Sequence, residues 1–267
     1  MPVVDKNEDG KQKGIVKMLP KISVICTCAN YAKYVKAAIR SVESQTYTGP
    51  IEMVIVDDCS SDKSWPNILE AAAQLSWVKP IRNESRQYCG TSNAIALEAA
   101  TGDICAVLDG DDILKPNAIE TLVDLYNRHP QVGYIYTSHE KVNKMLLEPK
   151  RGVSCLPLPG MNMLQTYNKR GLHCFSHWRT FRTHLRDETT IFKRGLKYAV
   201  DKYMGFALEE IAIGGFCPKS LYFYRFHKSN MTSTQKEQKP TAKAVAEEFS
   251  HKRKHEHIKA KEIIQVE

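Results

Sequence analysis

The chain has 267 residues, 42% of them hydrophobic, enough for one large domain or two small ones with a substantial core. No stretch approaches the roughly 20 apolar residues of a membrane-spanning helix, and the polar, charged start is not a secretory signal and reads as a disordered leader over residues 1–20. The net charge of +8 is uneven: residues 141–202 hold 13 Lys/Arg against 4 Asp/Glu, a local +9, so the remainder sums to −1. A basic middle suits phosphates, an acidic acceptor or an anionic membrane surface, and no helix-turn-helix, zinc-finger or RNA-binding signature accompanies it. Eight scattered cysteines without a Cys-x-x-Cys pair point to buried reduced thiols in a cytosolic protein.

In chain order, Ile22 to Cys28 is a β-branched apolar strand, and Asn30 is placed to cap a helix carrying Val35, Ile39 and Val42. Ile51 to Val56 is a second buried run. Ser64 is placed to cap the next helix, with Pro66 in its first turn and Ile68, Leu69, Ala72 and Leu75 inward. A short strand over 78–81 precedes a helix from Thr91 to Ala100, and Ile104 to Leu108 is a further strand. Pro116 starts a helix with Ile119, Leu122, Val123 and Tyr126 inward, and Gly133 to Thr137 is one more strand. Strands alternating with helices of this size predict βαβ units and a mainly parallel sheet. The second half is less regular: a loop or hairpin with three prolines over 141–160, mixed structure over 177–213, an aromatic strand over 216–226, and from Thr232 a charged helix or tail outside the core.

In parallel sheets, ligands bind beyond the carboxyl ends of the strands. Two acidic clusters stand there: Asp57-Asp58 after Val56, and Asp109-Gly110-Asp111-Asp112 after Leu108. Three carboxylates in four positions repel one another, and a divalent cation removes that cost. Hard oxygen ligands suit Mg2+ or Mn2+, and Mg2+ commonly shares its sphere with substrate phosphates. An EF-hand is excluded, because Leu114 stands where its loop needs glycine. A solvated acidic turn accounts for Asp112 but not for all three. Asp58, at a strand tip, suits acceptance of hydrogen bonds from a base or ribose.

These runs carry a resemblance. Ile22-Ser-Val-Ile, Asn30, Ser41-Val-Glu-Ser-Gln-Thr-Tyr47, Val54-Ile-Val-Asp-Asp-Cys-Ser-Ser-Asp62, Ala100-Thr-Gly-Asp103 and Leu108-Asp-Gly-Asp-Asp112 follow in an order similar to that of the family 2 inverting glycosyltransferases. The similarity continues through Arg179-Thr-Phe-Arg182, Val200-Asp201 before a helix ending Leu208-Glu-Glu210, and Leu221-Tyr-Phe-Tyr-Arg-Phe-His227. The resemblance implies a GT-A type α/β fold, a Rossmann-like mainly parallel sheet flanked by helices. It also implies a nucleotide-sugar-binding half over 21–137, an acceptor-binding half over 138–230 and a charged tail or helix over 231–267.

By the same resemblance, Thr27, Cys28, Asn30, Asp58, Arg86, Asp109 and Gly110 hold the nucleotide, with Asp58 reading the base. Asp111, Asp109 and His227 hold Mn2+ or Mg2+, with Asp111 the direct ligand. Arg179, Arg182, His177 and Arg225 face the donor phosphates or the acceptor, and Asp201 is the general base. The implied reaction moves a sugar from a nucleotide diphosphate sugar, UDP by the family pattern, to a glycan or lipid-linked hydroxyl with inversion. A cytoplasmic enzyme with a peripheral membrane contact is expected, and the oligomeric state is open. The chain departs from the pattern at Thr27-Cys28-Ala29-Asn30, where Pro-Thr-Tyr-Asn is usual, so an aromatic contact to the base is either lost or supplied by Tyr31. It departs again at Asn93, one residue further from Gly102 than expected, and at Val200, where an acidic residue is common.

The apolar surroundings of Asp201 predict few polar neighbours and a raised pKa, with Asp187 or Glu188 as the fallback base. His173 and Cys174 are read as packing residues. A nucleotidyltransferase is the first alternative, but it needs a glycine-rich loop after the first strand, and residues 27–33 contain no glycine. A catalytically silent binding module is the second, and the intact Asp58, Asp109, Asp111 and Asp201 speak against it.

Overall fold

Four runs form the first half of the sheet: β1 (Ile22–Cys28), β2 (Ile51–Asp57), β3 (Val78–Arg82) and β4 (Ile104–Asp109). β1, β2 and β4 are almost fully buried along their length, which is why they sit side by side as parallel strands. Pro80 lies in β3, which is half exposed and closes one edge of the sheet, where a missing N–H costs least. The protein is described here from a computed structural model covering residues 18–267 apart from 144, 148, 153, 228–229 and 231–234. Most of the expected leader therefore lies outside the described residues.

Side chains along the strands alternate between two helical layers. Val24, Cys26, Met53, Ile55 and Ala106 pack with α1 (Val35–Glu43), α2 (Ser64–Gln74) and α4 (Ala118–Arg128). Ile25, Val54, Val56 and Val107 pack on the other face with α3 (Tyr88–Ala99). The second half adds β5 (Ile113–Leu114), β6 (Val132–Asn143), β7 (Lys150–Arg151), α5 (Met163–Arg170), β8 (Arg179–Arg182), a 3-10 turn (Thr183–Asp187), α6 (Val200–Ile211), β9 (Ile213–Phe226), α7 (Gln235–His255) and β10 (Ile263–Gln265).

Among the described residues one sheet runs β10-β9-β6-β8-β4-β1-β2-β3, with β5 and β7 as short additions. β8 is antiparallel to both β4 and β6, so β6 and β9 run in the same direction as β4. β6 crosses the expected boundary at 137/138 without a break, and both halves share one sheet.

Several local expectations change. Asn30 does not cap α1, which starts at Val35. It takes a left-handed backbone (φ 61°), and its side-chain oxygen accepts from Ser61 N at 2.9 Å. Ser64 is the first residue of α2 rather than its cap, and Asp62 accepts from its N–H and its hydroxyl. The tail is not outside the core. Val245, Ala246 and Phe249 of α7 are buried against α6, and Val266 beside β10 is fully buried. Arg253 and Lys252 fasten α7 to the buried Glu209 and Glu210 at 2.7–3.0 Å. Glu209 also accepts from the first amides of α5, Met163 N and Leu164 N, where a helix favours negative charge.

Candidate active site

The parallel register aligns three strand tips. Thr27 stands opposite Asp109 and Cys28 opposite Asp57, so the acidic residues after β2 and β4 emerge on either side of β1. Strand order reverses in this part of the sheet, which opens a crevice beyond the carboxyl ends. A cavity of about 750 Å3 fills it. Thr27, Cys28, Tyr31, Asp58, Arg86, Asp109 and Asp111 line one side. His173, His177, Arg179, Asp201 and Tyr224 line the other. Burial pushes the thiols of Cys28 and Cys89 up to about 12, so both are neutral wall atoms rather than nucleophiles.

Asp58 organises the first wall. One carboxylate oxygen accepts from Asn83 Nδ2 (2.8 Å) and Gln87 N (2.7 Å), the other from Tyr88 N (2.9 Å), with Arg86 Nε at 3.0 Å. Its roughly four acceptor positions are thus taken by the chain. Through these bonds the carboxylate holds the loop 83–88 against the cavity that it lines. Tyr31 lines the same side.

The turn after β4 is fixed from below. Gly110 N donates to Thr27 O, and a Cβ at Gly110 would meet that oxygen at 2.8 Å, so only glycine lets the turn lie this close to β1. The carboxylates then divide. Asp112 is buried and accepts from Tyr222 OH and Arg225 N, both at 2.7 Å, which ties the turn to β9. It is therefore not the solvated turn residue expected. Asp111 accepts from His227 Nε2 at 2.9 Å and Asn230 Nδ2 at 3.3 Å. Asp109 opens to the cavity, with Arg179 NH2 3.2 Å away. Burial raises the Asp109 and Asp112 carboxyls above their ordinary range: for Asp109 it outweighs the opposing charge of Arg179, and for Asp112 the charges of Asp111 and Asp109 add to it. Asp109, Asp112 and His177 each offer a ligand atom within 4.8 Å of the others, but both Asp112 oxygens already accept from β9 and Arg179 NH2 lies against His177 Nδ1, which leaves Asp109 and Asp111 as the carboxylates of this turn that face the cavity.

The opposite wall is built from β8, β9 and α6. Tyr222 and Tyr224, two apart on β9, share a face and sandwich the His177 ring at 4.8 and 5.1 Å. Burial, followed by the charge of Arg179, holds the His177 pKa well below its ordinary value. Arg179 NH2 lies 3.1 Å from His177 Nδ1, which is an acceptor when the imidazole is neutral. Asp201 sits in the first turn of α6, with His173 Nε2 3.0 Å from one oxygen and Lys202 Nζ 4.0 Å from the other. Burial pulls this carboxyl up, but Lys202, His173 and Arg179 outweigh it and hold it well below the usual range. The expected raised pKa is thus reversed: Asp201 has polar neighbours, and they keep it ionised.

The remaining expectations are placed elsewhere. Asn30 holds the loop after β2 and does not line the cavity. Arg182 lies opposite Ile104, at the far end of β4, and donates to Val132 O, Tyr126 O and Pro130 O. Its reading as a phosphate or acceptor contact fails, because four strand residues separate it from the cavity edge at Asp109. Arg225 stands behind the turn, its Nε donating to Asp111 O and its guanidinium over Tyr34. His227 is a neighbour of Asp111, stacked on Tyr34. Asp187 and Glu188 do not line the cavity. Three contributors were missed. His173 was read as packing, and Asn230 carried no motif. Tyr222 left a readable signal in its two-residue spacing from Tyr224.

A pH prediction follows from His139, which is buried beside His177. Burial, reinforced by Lys141, lowers its pKa to about 4. An unfolded chain binds this proton near pH 6.5 while the fold refuses it, so its contribution to stability is lost as pH falls below 6.5. Down to pH 4 this amounts to about 3 kcal/mol. Denaturant titrations at pH 7 and pH 4.5 should show a smaller loss in His139→Gln than in the parent chain. An equal loss in both contradicts the assignment.

Comparison with known proteins agrees with this geometry. Residues 23–188 match the model of glycosyl transferase family 2. An uncharacterized glycosyltransferase of Nostoc sp. is 40% identical over 117 residues, 43% of this chain and 36% of that protein. Chondroitin synthase of Escherichia coli is 25% identical over 236 residues, 88% of this chain and 33% of that protein. The chain thus spans about a third of the length of these relatives. S. aureus TarS 1-349, solved in complex with UDP-GlcNAc, superimposes with a TM-score of 0.65 at 22% identity, covering 80% of this chain and 61% of that one. The fold is therefore GT-A type, and the chain belongs to glycosyl transferase family 2.

Proposed function

We propose that the chain transfers a sugar from a nucleotide diphosphate sugar, UDP-linked in the first instance, to a hydroxyl of a glycan or lipid-linked acceptor, with inversion. One observation carries the reading: a single cavity is lined by the Asp58, Asp109 and Asp111 carboxylates at the strand tips and by Asp201 across from them. The UDP-GlcNAc complex of TarS supports the donor class. The first half of the sheet is the donor side in this reading, and the wall from β8, β9 and α6 is the acceptor side.

The donor set fits a divalent cation. Its ligands are hard carboxylate oxygens that repel one another, with Arg179 beside Asp109 and His227 Nε2 beside Asp111. Asp109 and Asp111 would hold the ion, with His227 adjoining Asp111. When bound, the ion neutralises charge that develops on the diphosphate leaving group. Arg179 reaches from the facing wall to 3.2 Å from Asp109 and adds a fixed positive charge beside it. Asp201, kept ionised by His173 and Lys202, accepts the proton of the acceptor hydroxyl as that oxygen attacks. A single displacement of this kind inverts the anomeric centre. Asp58 acts through the 83–88 loop, presenting Arg86 and Tyr88 to the base.

The test is release of UDP from a panel of UDP-sugars, with Mn2+ and with chelator. Mn2+-dependent release from at least one sugar is expected. Release that ignores the chelator would count against the metal, and no release with any donor would count against the activity.

A further inference from the structure

Four of the large apolar side chains exposed among the described residues stand at the same end of the paired strands β6 and β9. Met145, Leu146 and Leu147 form the tip of the β6–β7 hairpin and are 69%, 40% and 55% exposed. Phe226, 60% exposed, is the register partner of Asn143 at the base of that tip. Apolar residues scattered singly on a surface are ordinary, but a contiguous group marks a binding surface.

The tip is built rather than loose. Asn143 Oδ1 accepts from Met145 N (2.9 Å) and Leu147 N (3.0 Å), and Asn143 O accepts from Leu146 N (2.9 Å). Leu147 O accepts from Asn143 N at 3.2 Å. These bonds hold Leu146 at φ 63°, a conformation that bulky residues rarely take. The N–H groups of Met145, Leu146 and Leu147 are thus satisfied internally while their side chains are exposed, which lets these three residues meet an apolar medium without desolvating those donors.

The surroundings are basic. Residues 140–151 contain four Lys/Arg and two Glu, and Glu140 is neutralised by Lys115 at 2.7 Å. Lys141, Lys150 and Arg151 are exposed and paired across the hairpin base. Such a collar opposes pairing with a second copy, which would bring like charges together, and favours an anionic surface. β6 and β9 run in the direction of β4, so this tip stands on the same edge of the sheet as the cavity.

We propose that the hairpin tip docks on an anionic lipid bilayer, with Met145, Leu146, Leu147 and Phe226 in the acyl boundary and Lys141, Lys150 and Arg151 at the headgroups. Insertion by side chains of this length is shallow and reversible. The docked face turns the sheet edge that carries the cavity toward the lipid. This proposal does not depend on the sugar chemistry.

The test is co-sedimentation of the full chain with phosphatidylcholine vesicles, with and without phosphatidylglycerol. Binding is expected only with the anionic lipid, falling as salt rises. Lys150→Ala combined with Arg151→Ala should weaken it by about 25-fold, from roughly five-fold per basic residue. Met145→Asp with Leu147→Asp should weaken it by at least about ten-fold. Unchanged melting midpoints in both variants exclude unfolding as the cause. Equal binding to neutral vesicles, no binding at all, or a wild-type dimer that Leu147→Asp converts to monomer would each overturn the proposal.

Discussion

Replacing Asp201 with Asn is expected to lower turnover by about 100- to 10,000-fold and to leave donor binding intact, the range for loss of a positioned base in the proposed reaction. Asn is nearly isosteric and keeps an oxygen for His173 Nε2, which lies 3.0 Å from the carboxylate. It cannot take the proton of an incoming alcohol. The parent carboxylate is held ionised well below its ordinary range despite burial, because Lys202, His173 and Arg179 surround it. Its ionisation therefore adds no acid limb to activity above pH 5, and removal of the group, not its titration, is the informative change. Single-turnover kinetics on the isolated protein separates binding from chemistry. Undiminished turnover in Asp201→Asn would remove this residue from the mechanism, and equal losses in binding and turnover would make it a binding group.

Asp111→Asn is expected to weaken cation-assisted uptake of UDP by at least about 100-fold, since even groups behind a metal's direct ligands commonly cost 10–100-fold when lost. The substitution retains an acceptor for His227 and Asn230, so the turn after β4 persists. Asp112→Asn is a useful contrast. Its carboxylate is occupied by Tyr222 and by Arg225 N, and its loss should act on the melting temperature through the β9 attachment. Thermal shift with UDP and Mn2+ reads both, because a ligand at 100 times its Kd stabilises by about 2.7 kcal/mol.

The first half of the sheet was legible in the sequence because its signals are local. Buried β-branched runs announce β1, β2 and β4, and acidic residues directly after them can only emerge at the carboxyl edge. The wall built from β8, β9 and α6 was legible in part. Tyr222 and Tyr224 show period two, yet the ring they enclose, His177, lies 45 residues upstream of Tyr222. His173 reaches Asp201 across 28 residues that carry no helical or strand period, so the partner that reverses the expected pKa was not readable. Arg182 misled because motif order says nothing of strand direction: β8 runs antiparallel to β4, which puts Arg179 at the site and Arg182 at the far end. The packing of α7 is legible in the sequence. Ala242, Val245, Ala246 and Phe249 follow helical spacing within a highly charged stretch, and that narrow stripe is the buried one.

Calorimetric titration of UDP into the protein, with Mn2+ and again with chelator, asks whether carboxylates from separate strand tips act as one anion site through a shared cation. Tight uptake with Mn2+, at least ten-fold weaker uptake without it, and loss of that difference in Asp111→Asn is the expected result. UDP uptake of equal strength in both conditions, or none in either, would contradict it.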